Sequence, residues 1–380
     1  MAQQVAVVGA GVFGAWTAWH LRRAGAAVTL IDAWGPGHTR SSSGGESRII
    51  RMGYGADEWY TRWSQRSLTL WKELEADTKT PLFRPTGVLW MARSEDPLST
   101  STLATLARLG VRHEKVSGDA LSTRWPQIAF GPVTWAIWEP DSGILMARRA
   151  VQAVAADAVR RGAVSRIGAA MPPESGKRLD ALMLTDGTRL SAETYVFACG
   201  PWLPKVFPGL LGDRIFPTRQ EVFYFGPHAG DVRWAPPKMP TWIDLGDEIY
   251  GMPDVESKGF KVAPDKHGPP FDPDSGERRV TAEGLAAVRA YVARRFPGLA
   301  DAPLVASEVC QYENTSNGDF LIDRHPELSN VWLVGGGSGH GFKHGPAVGE
   351  YVAARLADGK PVEARLSLAT KERAQKRTVY

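Results

Sequence analysis

The sequence predicts an α/β fold: one αβ unit assembled from separated stretches of chain, with a second, β-rich α+β unit inserted between them. Three observations predict it. First, residues 5–8 (Val-Ala-Val-Val) run into Gly9, Gly11 and Gly14 in G-x-G-x-x-G spacing, then an amphipathic stretch over 16–24, then an apolar run over 27–31 closed by Asp32. Second, a buried-strand pattern over 331–334 leads into glycine-rich 335–341 and a helical stretch over 345–356. Third, residues 215–262 between them alternate apolar and polar side chains at the period of a strand. A strand, glycine loop and helix at both ends imply that the chain returns to where it started. The reading is a discontinuous Rossmann-like, nucleotide-binding domain of residues 1–80, 140–212 and 300–380, with a β-rich substrate domain of residues 81–139 and 213–299.

Each element of the first unit has a physical reason. Gly9 lets the chain turn sharply out of the first strand, Gly11 leaves room for a pyrophosphate against the backbone, and Gly14 allows close packing of helix on strand. The N–H groups that begin the helix, around Val12 and Phe13, are unpaired within it and suit phosphate oxygens. Asp32 ends the second strand, where a carboxylate accepts hydrogen bonds from an adenosine ribose and repels a 2′-phosphate, which disfavours NADP. The motif does not choose between FAD and NAD.

The remaining elements follow in order. Residues 34–55 are rich in Gly, Ser and Arg and include Ser41, Ser42 and Ser43, which suits a loop wrapped around a ligand. Arg48 and Arg51 flank Ile49-Ile50, a patterning foreign to a flexible linker. Residues 59–75 have helical periodicity; 83–91 alternate like a strand broken at Thr86-Gly87; 101–109 read as a helix, 133–138 as a strand and 146–161 as a long helix. Residues 190–199 read as strand and run into Gly200-Pro201-Trp202. Strands are predicted over 215–225, 242–252 and 259–262, a proline-rich loop over 264–276 and a helix over 282–296. The basic tail, residues 371–377, reads as a solvated helix end.

Composition narrows the function classes. The chain has 380 residues, 43% of them hydrophobic, with 14 Trp, 13 Phe and 9 Tyr, enough for a large core. Its formal charge of +4 is spread among acids, so a nucleic-acid-binding face is not expected. Two distant cysteines, Cys199 and Cys310, exclude a disulfide framework and a C-x-x-C metal site. No apolar run is long enough to span a membrane, and the N-terminus has no basic leader. The expectation is a cytoplasmic protein with no metal.

Seven segments now coincide in order: V-V-G-A-G-V-F-G at 7–14, S-R-I-I-R-M-G-Y-G at 47–55, T-G-V-L at 86–89, W-E-P-D-S-G-I-L at 138–145, C-Q-Y at 310–312, I-D-R-H-P at 322–326 and G-S-G-H-G-F-K at 337–343. Together they resemble the monomeric sarcosine oxidase family, within the D-amino-acid-oxidase-like FAD-dependent amine oxidases. The resemblance spans nearly the whole chain. It implies FAD, held by Gly9, Gly11, Val12, Phe13, Gly14, Asp32, Ser41, Ser42, Arg48, Gly339, His340, Gly341 and Lys343. It further implies that Cys310 corresponds to the cysteine bonded to the flavin 8α-methyl. A thiolate is a good nucleophile, and the neighbours Ser307, Glu308 and Gln311 are polar. Cys199, which ends an apolar run, reads as a core thiol.

By the same resemblance, Arg51 and Lys343 clamp the substrate carboxylate, a task suited to a bidentate guanidinium and an ammonium. Arg48 lies near the flavin ring. Lys261 corresponds to the oxygen-activating lysine, whose charge stabilises superoxide. Tyr250 and Tyr312 match aromatic pocket positions. The chain departs from the family at the amine end of the pocket. Asp265 stands where the family has histidine, with His267 two residues on, and Ile249 replaces one of two adjacent tyrosines. An inward-facing Asp265 favours a cationic side group on the substrate, and an inward-facing Ile249 a larger apolar one.

The activity implied is an FAD-dependent oxidase of a secondary or N-alkyl amino acid. It converts a C–N bond to an imine and O2 to hydrogen peroxide, in a monomer whose partners are a small amino-acid-like substrate and O2. Alternatives on the same sequence are an amine dehydrogenase of this fold, an NAD-dependent dehydrogenase and a non-catalytic flavoprotein subunit. The carboxylate clamp argues against the last of these.

Overall fold

The computed structural model describes residues 2–376. The N-terminal unit forms as its sequence dictates: strand Gln4–Val8, helix Val12–Arg23, strand Ala27–Asp32. The helix starts at Val12, immediately after the glycine turn. Gly9 sits at φ +102°, and a Cβ there would lie 2.3 Å from the Ala198 carbonyl oxygen. Only glycine meets both demands. A Cβ at Gly14 would lie 1.8 Å from the Gly9 carbonyl oxygen, so the close packing expected of that position is present.

These strands centre a six-stranded sheet in the order Leu321–Arg324, Val331–Gly335, Thr194–Phe197, Gln4–Val8, Ala27–Asp32, Val164–Ile167. All neighbours are parallel except the first pair. The sheet thus takes strands from residues 1–80, 140–212 and 300–380. The chain's return is fixed by helix packing. Helix Gly345–Asp358 crosses Val12–Arg23 so closely that a Cβ on Gly349 would lie 2.5 Å from the Trp16 backbone. Trp16, Trp19 and Trp71 fill the layer beside them, fully buried and edge-on at 5.0 Å. Burying each contributes about 2–3 kcal/mol.

The second sheet has eight strands in the order Leu304–Thr315, Ile215–Phe225, Phe260–Pro264, Ile249–Met252, Thr241–Asp244, Val88–Ala92, Trp135–Glu139, Glu114–Ser117. Helix Ala282–Arg295 covers one face, where Trp242, Phe260, Tyr291 and Phe296 pack together. A three-stranded sheet of Arg48–Ile50, Gly143–Leu145 and Phe83–Arg84 completes the larger sheets. Among the described residues, no helix is long and apolar enough to cross a membrane.

The structure differs from the sequence reading in several places. The predicted strand over 242–252 is a hairpin of Thr241–Asp244 and Ile249–Met252. The chain turns there because Asp244 is buried and held by Arg295 at 2.7 Å and by the Tyr291 hydroxyl at 3.1 Å. The 83–91 segment splits at Thr86-Gly87 as expected, and its halves enter different sheets. Strand Glu114–Ser117 and helix Gly118–Arg124 were not anticipated. Nor was Leu304–Thr315, which pairs along its length with Ile215–Phe225 and ties the 300–380 segment to the β-rich sheet. The basic tail is not a helix over 371–376. Lys371 is buried, and its ammonium donates to the Arg365 carbonyl at 2.6 Å. Arg377 lies outside the described residues.

Candidate active site

A cavity of about 460 Å³ runs between the two large sheets, a size suited to a small-molecule site. Its lining follows the motifs. It includes Gly9, Gly11, Val12, Phe13, Asp32 and Trp34 of the N-terminal unit, Ser41, Ser42, Arg48 and Cys310, and Arg51, Tyr250, Asp265, Tyr312, Gly339, His340, Gly341 and Lys343. Residues distant in sequence therefore meet in one space.

At the nucleotide end, no side chain caps helix Val12–Arg23 at Gly11. The Val12 N–H donates to Ser43 Oγ at 3.1 Å, which anchors the serine loop to the helix start. Asp32 lines the cavity while organising the turn around it. Its Oδ2 accepts from the Ala10 N–H at 2.7 Å, and Oδ1 accepts from those of Trp34 and Gly35. Two further cavity atoms, Ser42 Oγ and Glu313 Oε2, are buried with no hydrogen-bond partner among the described residues. Glu313 Oε1 accepts from the Gly337 N–H, and burial pushes this carboxyl up to about 7. A glycine cradle at a helix N-terminus and buried polar atoms on residues of the lining fit a dinucleotide with hydroxyls and phosphates.

The middle of the cavity is built around Arg48. Its guanidinium donates to the carbonyls of Ser47 (2.8 Å) and Ser42 (2.6 Å) and to Cys310 Sγ (3.2 Å). The Cys310 sulfur thus sits against a cation. Cys199 contrasts with it: its thiol donates to the Val8 carbonyl, and burial raises it far above the ordinary range. Lys261 lies behind the cavity wall. It is 1% exposed, and its ammonium donates to the Ser47 carbonyl at 2.8 Å. Burial, then the Arg48 charge, lowers it to about 7.

At the far end two cations converge on Tyr54. The Arg51 guanidinium lies between the faces of Tyr54 (4.4 Å) and Trp90 (4.6 Å) and donates to the Gly53 carbonyl. Lys343 is 4% exposed, and its ammonium donates to the Tyr54 hydroxyl at 2.8 Å and to the His340 carbonyl at 2.9 Å. The lining also carries Tyr250, Tyr312 and Asp265. Tyr312 donates to Asp265 Oδ1 at 2.8 Å.

Three sequence-predicted residues lie outside the cavity lining, Lys261 as described above and two more. Gly14 packs the helix and does not line the cavity. Ile249 is not in the lining either; it packs against the Trp242–Phe260 cluster, because the strand's alternation turns Tyr250 to the cavity and Ile249 away. The apolar pocket wall expected from Ile249 is therefore absent. Three contributors were missed. Tyr54 bridges both cations. Trp90 stacks on Arg51. Glu139, 1% exposed, accepts from the Met52 N–H (2.7 Å), the Gly53 N–H (3.0 Å), Trp90 Nε1 (2.8 Å) and the Ser142 hydroxyl (2.6 Å). Tyr54 and Glu139 lie inside segments that carried the resemblance, the one signal that could have drawn attention to them.

The chain is similar to known proteins over nearly its whole length. A "Monomeric sarcosine oxidase" of Bacillus sp. (strain B-0618) is 32% identical over 394 residues, covering 99% of this chain and 98% of that protein. The "Peroxisomal sarcosine oxidase" of Homo sapiens is 30% identical, covering 90% and 89%. An "N-methyl-L-tryptophan oxidase" of Salmonella heidelberg (strain SL476) is 28% identical, covering 95% and 96%. In fold, the chain matches the crystal structure of L-proline dehydrogenase from P. horikoshii with TM-score 0.82 at 21% identity, covering 97% of each. The family model of the DAO FAD-dependent oxidoreductases matches residues 4–355. A chain so matched belongs to the DAO family of FAD-dependent oxidoreductases.

Proposed function

We propose that this enzyme oxidises the C–N bond of a secondary or N-alkyl amino acid to an imine, with O2 reduced to hydrogen peroxide. The observation that carries the reading is the convergence of Arg51 and Lys343 on one end of the cavity. The names of the sarcosine and N-methyl-L-tryptophan oxidases support it.

FAD, when bound, would supply the two-electron acceptor; the chain's own residues bind, orient and tune. Gly9, Gly11, Val12, Phe13 and Asp32 would hold the dinucleotide, and Ser41, Ser42, Arg48, Gly339, His340 and Gly341 its flavin half. Arg51 donates a guanidinium fork and Lys343 an ammonium to the substrate carboxylate. Fixing that carboxylate holds the reacting C–N bond in one orientation, which supplies much of the rate. Lys261 places a buried cation where oxygen takes up its first electron. Tyr250, Tyr312 and Asp265 face the amine end.

Cys310 is the proposed tether. Its Sγ would hold the flavin through the 8α-methyl carbon; such a thioether would replace the S–H bond and one C–H bond, with O2 as acceptor of the two electrons and two protons released. The Arg48 guanidinium beside Sγ supports this assignment. Residues 1–80, 140–212 and 300–380 would serve the cofactor, and 81–139 and 213–299 the substrate, in a cytoplasmic monomer.

The test is a peroxide assay over N-methyl amino acids, cyclic imino acids and glycated amino acids, run beside reduction of an artificial dye. Peroxide in proportion to substrate supports the reading. Dye reduction without peroxide makes the enzyme a dehydrogenase, and no flavin reduction by any of these amines overturns the reading.

A further inference from the structure

Glu313 follows Tyr312 on strand Leu304–Thr315 and lines the cavity. It is 9% exposed and is fixed from two directions. Its backbone carbonyl accepts from the Ser338 N–H at 3.0 Å, and its Oε1 accepts from the Gly337 N–H at 3.2 Å. Strand and glycine loop are therefore joined at this residue. Among the described residues, the other oxygen, Oε2, has no hydrogen-bond partner and the carboxyl has no ion pair.

Three glycines frame this carboxyl. A Cβ at Gly335 would lie 3.2 Å from Oε2, one at Gly200 3.9 Å from it, and one at Gly337 3.3 Å from Oε1. No side chain stands over the carboxyl from those positions, and Gly200 and Gly337 themselves line the cavity. A buried carboxyl oxygen is costly to leave without a partner, so the geometry calls for one from the molecule the cavity holds.

The acid itself selects the partner's chemistry. Burial, against the pull of the Gly337 and Gly336 N–H groups, pushes this carboxyl up to about 7, so both of its forms occur near neutral pH. A phosphate oxygen only accepts, and it meets the ionised form as a like charge. A hydroxyl accepts from the neutral acid and donates to the carboxylate. FAD carries hydroxyls in two places. Those of the adenosine ribose are assigned to Asp32. The others are on the ribityl chain, between the diphosphate and the ring. Glu313 sits correspondingly. Cys310, assigned to the ring, is three residues away on the same strand. The Cys199 thiol, raised first by burial, feels the charges of both Asp32 and Glu313.

We propose that Glu313 is a cofactor-binding residue whose Oε2 hydrogen-bonds a ribityl hydroxyl of FAD. The inference rests on the placement of FAD in the proposed function and not on the substrate named there.

Paired titrations test it. The full-length chain, made in riboflavin-starved cells, is titrated by calorimetry without O2, so that no tether forms. One ligand is FAD; the other is ADP, which has the adenosine and the diphosphate but no ribityl chain. Glu313→Ala is expected to weaken FAD about tenfold, the loss of one buried hydrogen bond, and to leave ADP unchanged, which also shows the fold intact. Glu313→Gln, which keeps a donor and an acceptor, is expected to stay within about threefold of wild type for both ligands. The inference is overturned if Glu313→Ala binds FAD as wild type does, or if it loses FAD and ADP alike. It is also overturned if Glu313→Gln is as weak for FAD as Glu313→Ala. If wild type itself binds no FAD, the placement of the cofactor is wrong and this inference falls with it.

Discussion

Single side chains divide the work of this site, and each makes a separate prediction. Arg51 is held by its stacking between Tyr54 and Trp90. Lysine cannot reproduce that planar fork. Arg51→Lys should raise the KM for a carboxylate substrate about 10- to 100-fold, the loss of one charge-assisted contact, with flavin content unchanged. Lys261 is buried and lowered to about 7, by burial first and by Arg48 second. It is charged below that pH and neutral above it. The rate of oxygen consumption by reduced enzyme should therefore fall as pH rises through about 7. Lys261→Met should be slow at every pH and lack this step, and an unchanged profile in stopped-flow reoxidation would refute the assignment. Cys310→Ala should release its flavin on acid precipitation, whereas wild type stays yellow; an acid-stable yellow variant rules out the tether. These side chains were legible only in part. Arg51 sits in a motif and Lys261 was read from the family resemblance, but the facing of Ile249 against Tyr250 depends on which way a strand presents its alternate residues. That register is set by pairing with distant strands.

At the level of elements, the loop that carries Arg51 is made by a neighbour. Glu139 at the end of strand Trp135–Glu139 gathers two backbone N–H groups of that loop together with Trp90 and Ser142. Glu139→Gln turns an amide NH2 toward those donors and should cost about 2–4 kcal/mol by chemical denaturation. Asp244→Ala strands Arg295 in the core beneath the hairpin that presents Tyr250, at a cost of about 3–5 kcal/mol. A loss below about 1 kcal/mol in either variant would show that the pair is not structural. The N-terminal βαβ unit was readable because its signals are local: two apolar runs, three glycines and one acid. Strand Leu304–Thr315 was not, because its outer half is exposed and its polar and apolar positions keep no clean alternation. Its partner Ile215–Phe225, about ninety residues earlier, settles its conformation. Glu139 could not be read either, since its role needs donors from three segments.

Over the whole molecule, the cavity collects walls from both large sheets and from both ends of the chain. Neither sheet completes the site alone, so cofactor binding should raise the stability of the chain as a unit, as any ligand of the native state does. The measurement that tests the account most directly is a carboxylate titration of the purified protein followed in the visible spectrum. The account predicts a yellow protein whose flavin bands shift saturably with a simple carboxylate, and a response lost in Arg51→Ala and in Lys343→Met. A colourless protein, or variants that respond as wild type does, would contradict it.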